Sequence, residues 1–298
     1  MNSYLSLVKD VENVTFIEND DLKSRSTAHV GGTAILSAFP RNANSLCKLI
    51  EKLKKGNIKH CVIGNGSNVI FPDGIYDGVV IFTKKMKEVV FDGDFVTADC
   101  GVNLIYLSAI CAQRGLSGLE FSCGIPASVG GAVYMNAGAH GGCISDVFEN
   151  GKFYLPDGRI ETLDNSEMTF SFRKSRAAAE KFIVLSATFK LKKDEISNIN
   201  SRIEKIKKVR AESQPIEFPS VGSVFLPSGD TPAWKLIDGA GLRGYSVGGA
   251  MVSDKHAGFI INTGGATASD YSALTELIKE KVKNIYGVDL QTEIIFIK

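Results

Sequence analysis

The sequence predicts an α+β protein of more than one domain. Helical and strand patterns are mixed along the chain without the strict alternation of a doubly wound sheet. The texture changes near Glu88, where a β-α-β segment gives way to hairpins. A length of 298 residues also exceeds what a single core of ordinary size holds. With 44% hydrophobic and 22% charged residues, the chain can bury a large core, which excludes disorder as its main state.

Taken in order, residues 45–56 read as a helix: Leu46, Leu49, Ile50 and Leu53 share one face and Gly56 is a fitting stop. Cys61-Val62-Ile63 and Val79-Val80-Ile81-Phe82 are short apolar strands around a Gly-rich loop. EVVF and FVTADC form a hairpin about Asp92-Gly93-Asp94, and 103–114 is a helix ended by Gly115. FYLPDGRIETL is a hairpin turning at Pro-Asp-Gly, and IVLSATFKL alternates as a strand. Residues 194–212 form an amphipathic helix with Ile196, Ile199, Ile203 and Ile206 inward, suited to linking two domains. A Pro-bounded loop (215–227), a helix near 232–239, strands around 247–252 and 257–262, a helix at 270–285 and a last strand Glu293–Ile297 complete the chain.

Charge is nearly balanced, 34 Lys+Arg against 33 Asp+Glu, so nothing draws the protein to nucleic acid or an anionic membrane. The six cysteines contain no C-x-x-C pair and no zinc spacing, and the four histidines have no partners at metal-ligand spacing. Free thiols and no metal are expected. The N-terminal residues lack a basic region followed by an apolar core, so no secretory signal is expected. The uncharged run from Phe121 to Ser145 is long enough to cross a bilayer, but its six glycines, one proline and several polar residues argue against insertion.

Gly239-Ala-Gly241-Leu-Arg-Gly244 matches G-x-G-x-x-G, yet a helix precedes it and a strand follows, the reverse of a dinucleotide fingerprint. It reads as a helix stop and turn. Gly64-Asn65-Gly66-Ser67-Asn68 follows a strand, but no helix follows it; a tight turn and a loop of anion-binding N–H groups both remain open. The run Gly124–Gly142 is the strongest local signal. Such glycine density costs conformational entropy and suits a backbone-lined cleft for a large planar cofactor with a pyrophosphate. Taken alone, Ser223, Glu293 and Arg173 are an ordinary loop serine, strand-edge carboxylate and surface arginine.

In combination these segments resemble one family. STAHVGGTA (26–34), GNGSNVIF (64–71), GLEFSCGIPASVGGAVYMNAGAHGG (118–142), FRKS (172–175), PSVGSVF (219–225), KHAGFIIN (255–262) and the terminal TEIIFIK occur in the order found in UDP-N-acetylenolpyruvoylglucosamine reductases, the flavoenzymes of peptidoglycan precursor synthesis. The resemblance runs from about residue 20 to the C-terminus and looks like the shorter, type II branch.

The resemblance implies a three-part α+β flavoprotein. Subdomains 1–83 and 84–193 would clasp FAD in a vanillyl-alcohol-oxidase-like fold, with strand 294–298 able to rejoin the first, and 194–293 would bind the UDP-sugar. It implies reduction of FAD by NADPH, then of a UDP-N-acetylglucosamine enolpyruvyl ether by the flavin. It assigns Ser223 as proton donor, Arg173 as stabiliser of the growing carboxylate charge, and Glu293 beside that carboxylate, holding or sharing a proton. It places Gly64, Asn65, Gly66, Ser67, Asn68, Gly124, Ile125, Ser128, Gly130, Gly131, Asn136, Ala137, Gly138 and Ile183 at the cofactor. Phe172, Arg210, Arg243 and Lys255 would meet the substrate. A monomer in the bacterial cytoplasm, acting on small molecules, is expected.

Three departures from the family pattern stand out. Phe172 replaces the usual Tyr, Leu226-Pro227-Ser228 stands where a basic residue is common, and Ala127 replaces a common Gly. The UDP diphosphate would then fall to Arg210, Arg243 or Lys255, which the sequence does not rank. One competing reading is another oxidoreductase or oxidase on the same flavin fold, although the Gly-Gly-His context of covalent flavin attachment is missing. A binding protein without catalysis is the other, and it predicts loss of at least one of Arg173, Ser223 and Glu293. All three are present, 50 and then 70 residues apart.

Overall fold

In the computed structural model, which describes residues 3–298, the chain forms two units, each threaded by three segments. The first is Met1–Glu18, Leu36–Asn65 and Gly78–Val209; the second is Asn19–Ile35, Gly66–Asp77 and Arg210–Lys298. Each has its own apolar core.

The first unit holds most of a four-stranded sheet, in the order Val14–Asp21, Thr33–Pro40, Ile75–Phe82, His60–Ile63. The last two strands are parallel, with Cys61 opposite Val80. The helix Ala43–Lys55 starts where the Asn42 side chain accepts from the Ser45 N–H at 2.9 Å, and it buries Leu46, Leu49, Ile50 and Leu53. A five-stranded antiparallel sheet follows, in the order Ile160–Asp164, Phe148–Tyr154, Ile183–Lys190, Phe95–Asp99, Val89–Asp92. Its two hairpins turn at the expected Asp92-Gly93-Asp94 and Pro156-Asp157-Gly158. The Gly-rich run is not wholly irregular: Ser128 caps a short helix, Val129–Tyr134, by accepting from the Gly131 N–H at 3.2 Å.

The linker helix Ile196–Ser213 buries Ile199 and Ile203, while Ile206 is half-buried. Ile196, expected inward, is 46% exposed, because the first turn stands off the core. Arg202 of this helix instead grips Glu120 at 2.8 Å and Asp194 at 2.6 Å. Burial alone would raise the Glu120 pKa, but the Gly118 N–H and the Arg202 guanidinium outweigh it and hold the carboxyl below its usual value.

The second unit is built on an antiparallel sheet in the order Ser220–Ser223, Phe259–Asn262, Ala250–Val252, Ser246–Val247. The strand expected over 247–252 is two strands bent at Gly248-Gly249, where Gly248 takes φ +54°. Gly239-Ala-Gly241-Leu-Arg-Gly244 does end a helix, Ala233–Gly239, with Gly241 at φ +71° beyond its cap. The helix Ala268–Tyr286 opens with a capping box between Thr267 and Asp270 and buries Tyr271, Leu274, Ile278 and Val282. The terminal strand pairs over Ile295–Phe296 alone, in parallel with Val69–Ile70. Among the described residues no helix is long and apolar enough to cross a membrane, and all six cysteines are free thiols.

Candidate active site

The residues singled out above fall in both units, and in each unit some of them are brought together. In the second unit, Ser223 ends the strand Ser220–Ser223 opposite Phe259. The Val224 N–H donates to the Gly258 carbonyl, and the Glu293 N–H donates to the Val224 carbonyl at 2.8 Å. An exposed hydroxyl and a half-buried carboxylate, 70 residues apart in sequence, thus stand on neighbouring backbone segments.

The loop residues Gly66, Ser67 and Asn68 belong to the same unit as Ser223 and Glu293. Asn68 donates its side-chain amide to the Glu293 carbonyl at 3.1 Å, and its own carbonyl accepts from the Ile295 N–H. Gly66 is buried at φ +67°, and a Cβ there would lie 2.3 Å from the Arg25 carbonyl. Among the described residues, no protein acceptor receives the Gly66 N–H. A buried backbone donor without a partner fits a loop that presents N–H groups to an anionic ligand.

The cations expected at the substrate are largely engaged already. Arg243 forks onto Asp238, at 2.5 and 2.9 Å, and reaches the Asp254 carbonyl. Lys255 donates to the Ala211 carbonyl at 2.6 Å and stands 3.8 Å from Glu217. A diphosphate would have to compete with these carboxylates. Arg210 is half-buried in the last turn of the linker helix. Nearby, the rings of Trp234, His256 and Phe259 pack together, with centroids 5.8 and 5.0 Å apart, a cluster that sequence reasoning missed. Burial pushes the His256 pKa down, and Arg243 adds to the shift.

In the first unit, Ser171 and Lys174 exchange both backbone hydrogen bonds, which puts Phe172 and Arg173 at the tip of a two-residue turn. Only Arg173 takes positive φ, +55°, the pattern of a type II turn whose second position favours Gly or Asn. The Arg173 guanidinium donates to the Gly138 carbonyl at 2.6 Å and lies 4.9 Å above the Phe172 ring. A phenyl ring therefore supplies the stacking face even though the hydroxyl of the usual Tyr is absent.

The Gly-rich run approaches itself closely. A Cβ on Gly64 would lie 2.0 Å from the Ser128 Oγ, one on Gly130 would lie 2.7 Å from the Cys100 Cβ, and one on Gly138 would clash with Cys143. Part of the glycine density therefore serves the protein's own packing. Gly131 and Gly141 are different: a Cβ at Gly131 meets only the Ser128 Oγ, at 3.4 Å, and one at Gly141 meets nothing within 4 Å. Uncharged backbone left open in this way fits a planar cofactor. Asn65 donates to the Pro126 carbonyl at 3.2 Å, Ile125 and Ala127 close a three-residue turn, and Ile183 is half-buried at the start of its strand. Gly124 and Ala137 are half-buried, and the Ala137 N–H donates to Ala132 beyond the short helix. The Asn136 amide bonds Ser171 and Ser145.

Known proteins resemble this chain over most of its length. Residues 34–164 match the FAD binding domain family, and residues 214–297 match the C-terminal domain of UDP-N-acetylenolpyruvoylglucosamine reductase. The curated reductase of that name from Pediococcus pentosaceus is 41% identical over 281 residues, covering 94% of each chain. That from Anoxybacillus flavithermus is 42% identical over 282 residues, covering 94% of this chain and 93% of the other. The crystal structure of UDP-N-acetylenolpyruvylglucosamine reductase from Thermus caldophilus superposes with a TM-score of 0.80 at 31% identity, covering 95% of this chain and 99% of that one. A likeness in fold alone extends to Physcomitrella patens BBE-like 1, with a TM-score of 0.50 at 12% identity over 64% of this chain and 45% of that one. With identities near 40% sustained over almost the whole length of both partners, the chain belongs to the UDP-N-acetylenolpyruvoylglucosamine reductase family.

Proposed function

We infer that this protein reduces the enolpyruvyl ether of UDP-N-acetylglucosamine to UDP-N-acetylmuramate, with NADPH as hydride donor and FAD as carrier, in peptidoglycan precursor synthesis. Family membership along the whole chain carries the reading. Bound by the cradle residues given below, FAD would supply hydride transfer from NADPH to the terminal methylene of the enolpyruvyl group.

Hydride arrival there leaves negative charge on the ether-bearing carbon and its carboxylate. The protein's part is to stabilise that charge and to quench it. Ser223 is proposed to donate its hydroxyl proton to that carbon; an ordinary alcohol suffices because the carbanion is a far stronger base. Arg173 is proposed to fork onto the carboxylate. Glu293 is proposed to stand beside the same carboxylate in its protonated form, since a bare like charge would oppose the developing anion. Gly64–Asn68, Gly124, Ile125, Ser128, Gly130, Gly131, Asn136, Ala137, Gly138 and Ile183 are proposed as the FAD cradle, and Phe172, Arg210, Arg243 and Lys255 as substrate contacts. The division into 1–83, 84–193 and 194–293 is proposed as the functional one: two parts for flavin and one for the UDP-sugar. A monomer acting in the cytoplasm is part of the same proposal.

An anaerobic visible spectrum tests the reading in one cuvette. A yellow protein should bleach with NADPH and recover with the enolpyruvyl UDP-sugar. Bleaching without recovery would redirect the reading to another oxidoreductase of this flavin fold, and a protein that cannot be loaded with FAD would overturn it.

A further inference from the structure

The FRKS turn is tied to the Gly-rich run by side chains from both partners. Asn136 donates its amide to the Ser171 carbonyl at 2.9 Å and accepts from the Ser145 N–H at 3.0 Å. Ser175 donates to the Tyr134 carbonyl at 2.6 Å, and Arg173 to the Gly138 carbonyl at 2.6 Å. Asn136 is only 4% exposed.

The backbone at Asn136 shows why an asparagine stands there. The residue follows the helix Val129–Tyr134 and its Met135 cap, at φ +42°. The Asn136 N–H donates to Val133 and the Ala137 N–H to Ala132. This is a Schellman ending, whose left-handed position ordinarily goes to glycine. Asparagine tolerates that conformation and adds an amide that glycine lacks. The amide grips the residue that anchors the Arg173 turn, since the Ser171 carbonyl also accepts from the Lys174 N–H. The turn itself is strained, with an arginine where Gly or Asn is favoured. A strained turn persists only when its surroundings hold it; Ser175, also 4% exposed, ties its far end to Tyr134, and Asn136 is the buried group that bonds Ser171 at its start.

We propose that Asn136 is a positioning residue for Arg173: its amide holds the 171–174 turn against the Gly-rich run so that the guanidinium is delivered to the substrate carboxylate. This rests on the function given above, which it deepens. Asn136 keeps its place in the proposed FAD cradle through its backbone, while its side chain acts on the turn.

Asn136→Gly is the direct test, because glycine suits the left-handed backbone and removes only the amide. Asn136→Asp is the second variant: it keeps an acceptor for Ser145 and sets a carboxylate against the Ser171 carbonyl. Both should retain FAD. In both, flavin reoxidation by the enolpyruvyl UDP-sugar should slow by about 10–100-fold, more than reduction by NADPH does, since misplacing an oriented group costs rate steeply. In a double-mutant cycle, adding Arg173→Ala to Asn136→Gly should slow reoxidation far less than Arg173→Ala does alone. Limited trypsin digestion of the holoenzyme without substrate should cut after Arg173 or Lys174 several-fold faster in both variants. Loss of FAD would make the Asn136 side chain itself a cofactor ligand and overturn the proposal. So would fully multiplicative effects in the cycle, or unchanged tryptic cutting. If wild-type flavin is not reoxidised by the UDP-sugar, the functional reading fails instead, and the tryptic rates still decide whether Asn136 holds the turn.

Discussion

The N–H of Glu293 donates to the carbonyl of Val224, the residue that follows Ser223, at 2.8 Å. Phe225 and Thr292 pair across the same junction. The proposed proton donor and the carboxylate are therefore carried on two backbone segments bonded to each other. A fixed relation between them is what general acid catalysis requires, since a donor misplaced by an ångström loses most of its effect.

Ser223→Ala removes one exposed hydroxyl and should leave the fold intact. NADPH should still bleach the flavin at close to the wild-type rate. Reoxidation by the enolpyruvyl UDP-sugar should fall by about 10²–10⁴-fold, the range of a positioned proton donor. Stopped-flow absorbance resolves the two half-reactions, and an equal loss in both would remove Ser223 from the acid role.

Gly64→Ala tests the close approach of the two Gly-rich segments. The added Cβ would stand 2.0 Å from the Ser128 Oγ, which caps the helix Val129–Tyr134. Ser128 must move and the cap is lost, at about 1 kcal/mol. Ser128 is itself in the proposed FAD cradle, so its displacement should lower FAD affinity by about 5-fold, the factor that about 1 kcal/mol carries when it falls on the bound state. The ratio of flavin to protein absorbance after dialysis reads this directly; full flavin retention at unchanged affinity would show that the contact yields without consequence.

Burial raises the thiols of Cys100 and Cys111 to about 12 and that of Cys47 to about 11. At pH 8 such groups are almost wholly neutral and poor nucleophiles. In the native protein, a disulfide reagent at pH 8 should promptly label no more than the two half-buried thiols, Cys61 and Cys143. Guanidinium should then release all six. Prompt reaction of Cys100 or Cys111 in the native state would mean that the core of the first unit opens readily.

Much of the fold is legible where a period and a stop coincide. The helix Ala43–Lys55 has an apolar face and Gly56; the hairpins have Asp-Gly and Pro-Asp-Gly turns. Thr33–Pro40 gave no such signal, because nearly every residue from Leu36 on is buried and a strand covered on both faces does not alternate. The helix Val129–Tyr134 was hidden by Gly130 and Gly131, which are poor helix formers. The pairing of Val69 with Ile295 spans most of the chain, and no local pattern encodes such a contact. At the candidate site, the family motifs supplied Arg173, Ser223 and Glu293. They did not supply the left-handed turn under Arg173, since Phe-Arg contains no turn-forming residue.

Asp73 ties the loop Gly66–Asp77 to the helix Ala268–Tyr286. Its carboxylate accepts from the N–H groups of Ala268 and Ser269 at 2.5 and 2.9 Å and from the Ser269 hydroxyl at 2.7 Å. Burial alone would raise its pKa, but these donors outweigh that and hold it below the usual carboxylate value. The folded state then binds a proton less readily than the unfolded chain. Stability from this contact is present above about pH 4 and is lost as pH falls through the lowered folded value. Asp73→Asn should therefore destabilise the protein by about 1 kcal/mol at pH 7, the scale of an exposed charge at a helix N-terminus together with its capping bonds. Near pH 3 the difference should shrink, because wild-type Asp73 is itself becoming protonated. Urea unfolding at the two pH values measures it. A penalty equal at both would mean that the carboxylate charge contributes nothing and that the contact acts through shape alone.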